Sequence, residues 1–328
     1  MGLDEFDRIK KYFRPLASIE RGSLNLLDDA AVLPVDDASK VVISTDALVE
    51  GIHFFGEEEV DLIAQKSLRT NLSDMAAMGA TPWVYTLSLS LGPVTKGTLD
   101  QWLASFVKGL KKDQDKYDVG LIGGDTVTGS GPTVVSITIL GRADPRGVIT
   151  RNGASVYDDI YVSGTIGDSA AGLKIIKDPV NDLAYSEQLY LKDRYYLPNP
   201  RVELGKALVG IASAAMDVSD GLIQDLGHLC SASSLGAIVN WPMLPLSKGV
   251  EQLLNKKRIP ASLIVNGGDD YELLFTVPKR LRSEVEAIAK ASDVVVTRIG
   301  HMINGSGVSL LDKTGRLINS IGTGFKHD

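Results

Sequence analysis

The aspartates of this sequence are its most suggestive chemical groups, because so many of them follow apolar runs and stand beside glycine, serine or threonine. They are Asp28 and Asp29 in LLDDAAVL, Asp46 in ISTDAL, Asp125 in IGGDT, Asp217 and Asp220 in MDVSDGL, and Asp269 and Asp270 in GGDDYEL. Asp74, in NLSDMAAMGA, joins them from the margin of an expected helix. Taken singly, each is an ordinary turn or cap residue. Taken together, if the strand ends converge, they concentrate negative charge that repels itself unless something neutralises it. Hard divalent cations such as Mg²⁺ and Ca²⁺ are the natural neutraliser, since they take carboxylate, hydroxyl and carbonyl oxygens. Thr45 and Asp46 then read as oxygen ligands side by side at the end of a strand.

Other chemistries find little support. GPVTKGT at 92–98 has two glycines but lacks the Lys-Ser/Thr pair of a P-loop, and SGTIGDSAAGL at 163–173 does not have dinucleotide spacing. The latter is expected to open a helix with Asp168 or Ser169 as its cap. Four histidines occur, none with zinc-type spacing; His53, seven residues after Asp46, is the one able to face the same cleft. The single cysteine, Cys230, excludes an internal disulfide and a cysteine-built zinc site. No G-x-S-x-G or other nucleophile signature is present. Arg151, in ITRNGA, is a lone basic residue.

Positioning these groups requires alternating strands and helices. KVVISTDALVEGIHF at 40–54 reads as a strand and loop, and residues 61–79 read as a helix whose Leu68, Leu72, Met75 and Gly79 form one buried stripe. Ser67, Asn71 and Asp74 form a polar row beside that stripe, within reach of a shared cleft. A half-buried strand at 85–91 and an amphipathic helix at 99–112 follow. Next come a short strand, a Gly-rich turn and a β-branched strand at 133–140. DPRGVITRNG at 144–153 breaks the pattern and marks a joint. The second half restarts with a strand and a Gly-rich helix start, and its NGGD at 266–269 echoes IGGD at 122–125. The expectation is an α/β fold of α+β type: two α/β domains, residues 1–144 and 145–328, with mixed or antiparallel sheets.

Size and composition agree with two globular domains, since 328 residues with 44% hydrophobic and 23% charged content suit roughly 150 residues per domain. With 34 Lys and Arg against 41 Asp and Glu, the formal charge of -7 gives no general attraction to nucleic acid or an anionic membrane. An anionic substrate must therefore be met by local positive charge or by metal ions. No stretch of about 18 apolar residues is available to span a membrane. MGLDEFDRIKKYF lacks a signal-type apolar core, so a cytoplasmic location is expected.

In order, LDDAAVL, ISTDALVEGIHF, NLSDMAAMGA, IGGDT, TRNGA, YVSGTIGDSAAGL, MDVSDGLIQDL and GGDDYELLFTVP resemble the signature blocks of thiamine-monophosphate kinases, over residues 26–277. That family belongs to the ATP-binding superfamily that includes aminoimidazole ribonucleotide synthetase. The resemblance implies transfer of the γ-phosphoryl group of ATP to thiamine monophosphate, with several Mg²⁺ ions and a homodimer formed through the N-terminal sheet. It implies metal ligation by Asp29, Thr45, Asp46, Asp74, Asp125, Asp217 and Asp220, with Ser44 through its carbonyl. It assigns Gly124, Asp125, Arg151 and Ser219 to the nucleotide, and His53, Asp269 and the tail aromatic Phe325 to the thiamine phosphate. The family usually carries a Trp where this tail, GTGFKHD, has Gly322. An attacking phosphate monoester, with a second pKa of about 6, is already mostly a dianion, so no general base is needed. Sister enzymes fit less well: selenophosphate synthetase expects a reactive Cys near its N-terminus, and the hydrogenase maturation relative a C-terminal Cys. A non-catalytic nucleotide-binding regulator would not be expected to keep the whole aspartate set.

Overall fold

The structure, a computed structural model, describes residues 24, 27–34, 40–94 and 96–318. Its strands fall into two sheets. The first contains β1 (Ala31–Pro34), β2 (Lys40–Val49), β3 (Thr81–Leu91), β4 (Gly120–Thr128) and β5 (Val134–Arg142), in the order β1-β2-β5-β3-β4. Neighbours are antiparallel except β3 and β4, which run parallel. The second sheet contains β6 (Asp159–Ser163), β7 (Ala214–Asp217), β8 (Gly236–Asn240), β9 (Leu273–Val277), β10 (Val296–Ile303) and β11 (Gly307–Leu311), in the order β11-β8-β10-β6-β9-β7. Here only β8 and β11 are parallel. With helices packed on both sheets, the fold is α/β with mixed sheets, as expected. Among the described residues no helix is long and apolar enough to cross a membrane.

The helix that matters most for the site is α1 (Val60–Ala77), which packs on α2 (Leu99–Tyr117) and on β2 and β5 of its own unit, and on α5 (Val202–Leu208) and β7 of the other. Its apolar stripe of Leu68, Leu72 and Met75 is fully buried. Two glycines let backbones close on it: a Cβ at Gly109 would stand 2.2 Å from the Asp61 carbonyl, and one at Gly205 2.0 Å from the Ala76 carbonyl. The start of α2 is fixed by a capping box between Thr98 and Gln101. The other helices are α3 (Asp168–Lys177), α4 (Tyr185–Tyr196), α6 (Leu222–Ser233), α7 (Lys248–Asn255), α8 (Ala261–Asn266) and α9 (Arg282–Ala291).

Four local expectations need correction. The IGGD glycines and acid are not at a strand end: they lie inside β4, where register continues through Gly123, Gly124 and Asp125. NGGD lies instead between α8 and β9, so the echo between the halves is not structural. Neither Asp168 nor Ser169 caps α3. Gly167 holds the N-cap position, and the Asp270 carboxylate accepts from Gly167 N–H at 2.6 Å and from Ser169 N–H at 3.2 Å. The cap is thus supplied across the fold, which local propensity does not encode. Finally, Asp46 is not at a strand end but in the middle of β2, paired with Ile137.

Candidate active site

A cavity of about 1000 Å³ is lined by residues of both units, among them Asp29, Asp46, Asp74, Asp217, Asp220 and Asp269. Its most charged corner is assembled from three separate elements. One oxygen each of Asp29, Asp74 and Asp217 lies within 4.8 Å of the others. Asp29 precedes β1, Asp74 projects from α1, and Asp217 ends β7. The Ser44 hydroxyl ties two of them: it is 2.5 Å from Asp74 Oδ2 and 3.1 Å from the Asp29 carbonyl. Ser73 Oγ donates to Asp217 Oδ2 at 2.6 Å.

Burial sets the electrostatics of this corner. It pushes the Asp46 carboxyl up to about 6, against a hydrogen bond from the Thr70 side chain that lowers it, and the charges of Asp29 and Asp220 push the same way. Asp217 rises to about 8 through burial and the charge of Asp29. Asp74 is raised well above the ordinary carboxylate range by burial and by Asp46, Asp217 and Asp29. Asp28, one of the sequence's aspartate set but not among the implied ligands, rises to about 7 by burial and by Asp29. The guanidinium of Arg151 answers part of this charge, pairing with Asp29 through Nε at 3.1 Å and through a second contact, while its backbone N–H donates to Asp28 Oδ1 at 3.1 Å. An all-oxygen donor set whose members resist ionising together fits a hard divalent cation.

Asp220 is held beside this corner from its own loop. Asp225 Oδ2 accepts from the backbone N–H groups of Asp220 and Gly221, both at 3.1 Å, and Gln224 Nε2 donates to Asp220 Oδ2 at 3.0 Å. Ser219 also lines the cavity, and its carbonyl accepts from Asp269 N–H at 2.8 Å.

At the opposite end stand His53 and Asp269. Val49 N–H donates to His53 Nδ1 at 3.0 Å, so a neutral ring carries its proton on Nε2 and presents a donor there. Asp269 Oδ2 accepts from Lys66 Nζ at 2.9 Å. Lys66 was not singled out in the sequence, nor were Thr70 and Ser73. The signal was a helical spacing of four and three residues, one position away from the row read at Ser67, Asn71 and Asp74. Of that row only Asp74 reaches the cavity: Ser67 Oγ donates to the Ile63 carbonyl at 2.8 Å and Asn71 Nδ2 to the Ser67 carbonyl at 3.0 Å, both inside α1.

Three expected residues stand apart from the cluster. Thr45 lines the cavity, but adjacent strand residues face opposite ways, and its hydroxyl turns to the Ile137 carbonyl at 3.0 Å. Gly124 and Asp125 lie on β4, the far edge of the sheet: Asp46 pairs with Ile137, Ile137 with Leu87, and Leu87 with Gly124. Three strand spacings put them on the order of 14 Å from Asp46. Gly124 has a local reason to be glycine, with φ +153 and a Cβ position 1.8 Å from the Leu87 carbonyl. Phe325 and Gly322 lie outside the described residues.

Comparison with known proteins places the chain. A profile of AIR synthase related proteins matches twice, by the N-terminal domain at residues 27–143 and the C-terminal domain at 158–313. The thiamine-monophosphate kinase of Caulobacter vibrioides is 41% identical over 326 residues, covering 98% of this chain and 90% of that one. The chain belongs to the thiamine-monophosphate kinase family. It is therefore an enzyme, a kinase. The Escherichia coli K12 member of the family is 39% identical, covering 92% of this chain and 91% of its own. Among solved family members, the structure described as "AaThiL complexed with AMPPCP and TMP" superposes with a TM-score of 0.85 at 28% identity, covering 100% of this chain and 99% of that one. The kinase from Stenotrophomonas maltophilia K279a gives 0.77 at 37% identity, covering 94% and 97%.

Proposed function

We propose that this kinase transfers the γ-phosphoryl group of ATP directly to the phosphate of thiamine monophosphate, giving thiamine pyrophosphate and ADP by in-line displacement. The observation that carries this is the corner formed by Asp29, Asp74 and Asp217, whose oxygens crowd within 4.8 Å inside a cavity large enough for both substrates. The relative solved with AMPPCP and TMP supports the substrate pair. Mg²⁺ held by Asp29, Asp74 and Asp217, with Asp46 and Asp220 beside them, would screen the repulsion between two phosphate chains and polarise the phosphoryl oxygens.

The chain's own groups do the rest by placement. Ser44 and Ser73 fix the rotamers of Asp74 and Asp217 through their hydroxyls. Arg151, anchored on Asp29, sets a cation at the nucleotide side of the cavity. His53 offers an Nε2 donor to the acceptor phosphate, and Asp269 an acceptor to the rest of that molecule. No side chain abstracts a proton, because the acceptor phosphate reaches the site as a dianion.

The homodimer belongs to the same reading. Among the described residues β4 is an edge strand with no further partner, and its Leu121, Ile122 and Val127 are 47%, 61% and 52% exposed. A long apolar edge of this kind is an invitation to pair with another strand. Pairing of two copies there would bring Asp125 to the seam between them. A cytoplasmic location also belongs to this proposal.

Thiamine pyrophosphate formation by the purified chain, with ATP and Mg²⁺, tests it: product from thiamine monophosphate and none from thiamine is expected. Absence of product with the monophosphate overturns the reading.

A further inference from the structure

Lys66 is a buried cation for which phosphoryl transfer at the carboxylate corner has no use. Its side chain is 5% exposed, and its ammonium lies 2.9 Å from Asp269 Oδ2, 3.1 Å from the His53 carbonyl and 3.9 Å from the centre of the Tyr195 ring. Asp269 belongs to the second unit and His53 to the first, so one ammonium ties together, across the unit boundary, the two residues at the acceptor end. Exposed ion pairs contribute little, but a buried one is costly to break because the remaining charge stays desolvated.

Asp269 is constrained from its other side as well. Its backbone is left-handed, φ +68, a conformation that side chains rarely adopt. It is held there by its N–H on the Ser219 carbonyl and by the close approach of Gly268, where a Cβ would stand 2.3 Å from that same carbonyl. The Asp269 side chain nevertheless stays 30% exposed and lines the cavity, so it can meet a ligand while Lys66 holds it.

Lys66 also shares one face of α1 with Thr70, Ser73 and Asp74, whose side chains reach Asp46, Asp217 and Ser44. Eight residues of helix separate Lys66 from Asp74, about 12 Å along the axis. A single rigid element therefore spaces the acceptor end from the carboxylate corner.

We propose that Lys66 is the positioning residue of the acceptor subsite: through Asp269 and the His53 carbonyl it fixes how far the ring end of the acceptor lies from the carboxylate corner. The proposal rests on the acceptor reading given above. The Asp269 carboxylate, which can only accept, would meet a donor or cationic group of the acceptor's heteroaromatic system.

The test compares wild type, Lys66→Met, Asp269→Asn and the double variant in thiamine pyrophosphate formation, with KM measured for each substrate. Lys66→Met is expected to raise KM for thiamine monophosphate about tenfold or more, the scale of a hydrogen bond to a charged group, and KM for ATP less than about twofold. In the Asp269→Asn background it should add less than about twofold, because the shared interaction is already gone. A Lys66→Ala chain should regain acceptor affinity with propylammonium but not with propanol, a rescue that general loss of packing would not show. Equal rises in both KM values, additive effects in the double variant, or failure of the amine to rescue would overturn the proposal. A wild type that makes no thiamine pyrophosphate would instead refute the functional reading, and this proposal with it.

Discussion

The two ends of the polar face of α1 follow opposite charge rules. At the Lys66 end one carboxylate meets one ammonium, and the pair is closed by a backbone carbonyl and an aromatic ring. At the Asp74 end Asp29, Asp46, Asp74, Asp217 and Asp220 crowd together, and Arg151 engages Asp29. Balanced charge makes a rigid joint that gains from being left alone. Unbalanced buried charge is tolerated only where a ligand supplies the missing sign. The contrast separates a positioning device from a binding site on one helix.

The contrast is broken most severely at Asp74. Asp74→Asn should lower turnover about a thousandfold, the scale expected when a cation site loses a ligand. Without divalent ions the same variant should melt no lower than wild type, because it relieves like-charge crowding. A large loss of melting temperature with turnover retained would reverse the assignment of the two ends.

A second experiment asks whether β4 extends the unbalanced end into a neighbouring copy. Asp46→Asn and Asp125→Asn are each expected to be inactive. Mixed and reassembled, they should regain about a quarter of wild-type activity, because half the dimers are hybrids with one intact site. No recovery would confine Asp125 to its own protomer.

Ser44→Ala should weaken the apparent affinity for Mg²⁺ about tenfold, the usual effect of removing a group that orients a ligand. Titration of Mg²⁺ against initial rate reads it directly. The smallest effect is on stability against pH. Asp46 and Asp217 have folded-state values of about 6 and about 8, above the ordinary 3.8, so the folded chain keeps protons that the unfolded chain has released. Their contribution is fully present below about 4 and is lost as pH rises towards 8. Melting temperature without divalent ions should therefore fall over that window, and added Mg²⁺ should raise it by more at pH 8 than at pH 5.

Much of the fold could be read from the chain, because burial imposes periods of 3.6 and 2 on α1, α2, β2 and β5 whatever their partners. Glycine misled at 123–125: in sequence a double glycine and an acid read as a strand end, yet here the strand runs on and Gly124 lets β4 lie close against β3. The α3 cap misled for a related reason, since Asp270 reaches it from about a hundred residues away.

What the sequence determined by itself was the chemistry: an excess of well-placed aspartates, no nucleophile signature, and blocks sufficient to name a family. Residue type fixes charge and ligand preference without any fold. Tertiary structure alone decided which acids meet. Strand alternation put Ser44 and Asp46 on the α1 side of β2 and turned Thr45 to the other. Strand order carried Asp125 to the edge of the sheet formed by the described residues. The packing of α1 between the two units paired Lys66 with Asp269 across about two hundred residues of chain. Such pairings depend on how elements dock, and docking is set by burial of faces that the polar residues themselves do not encode.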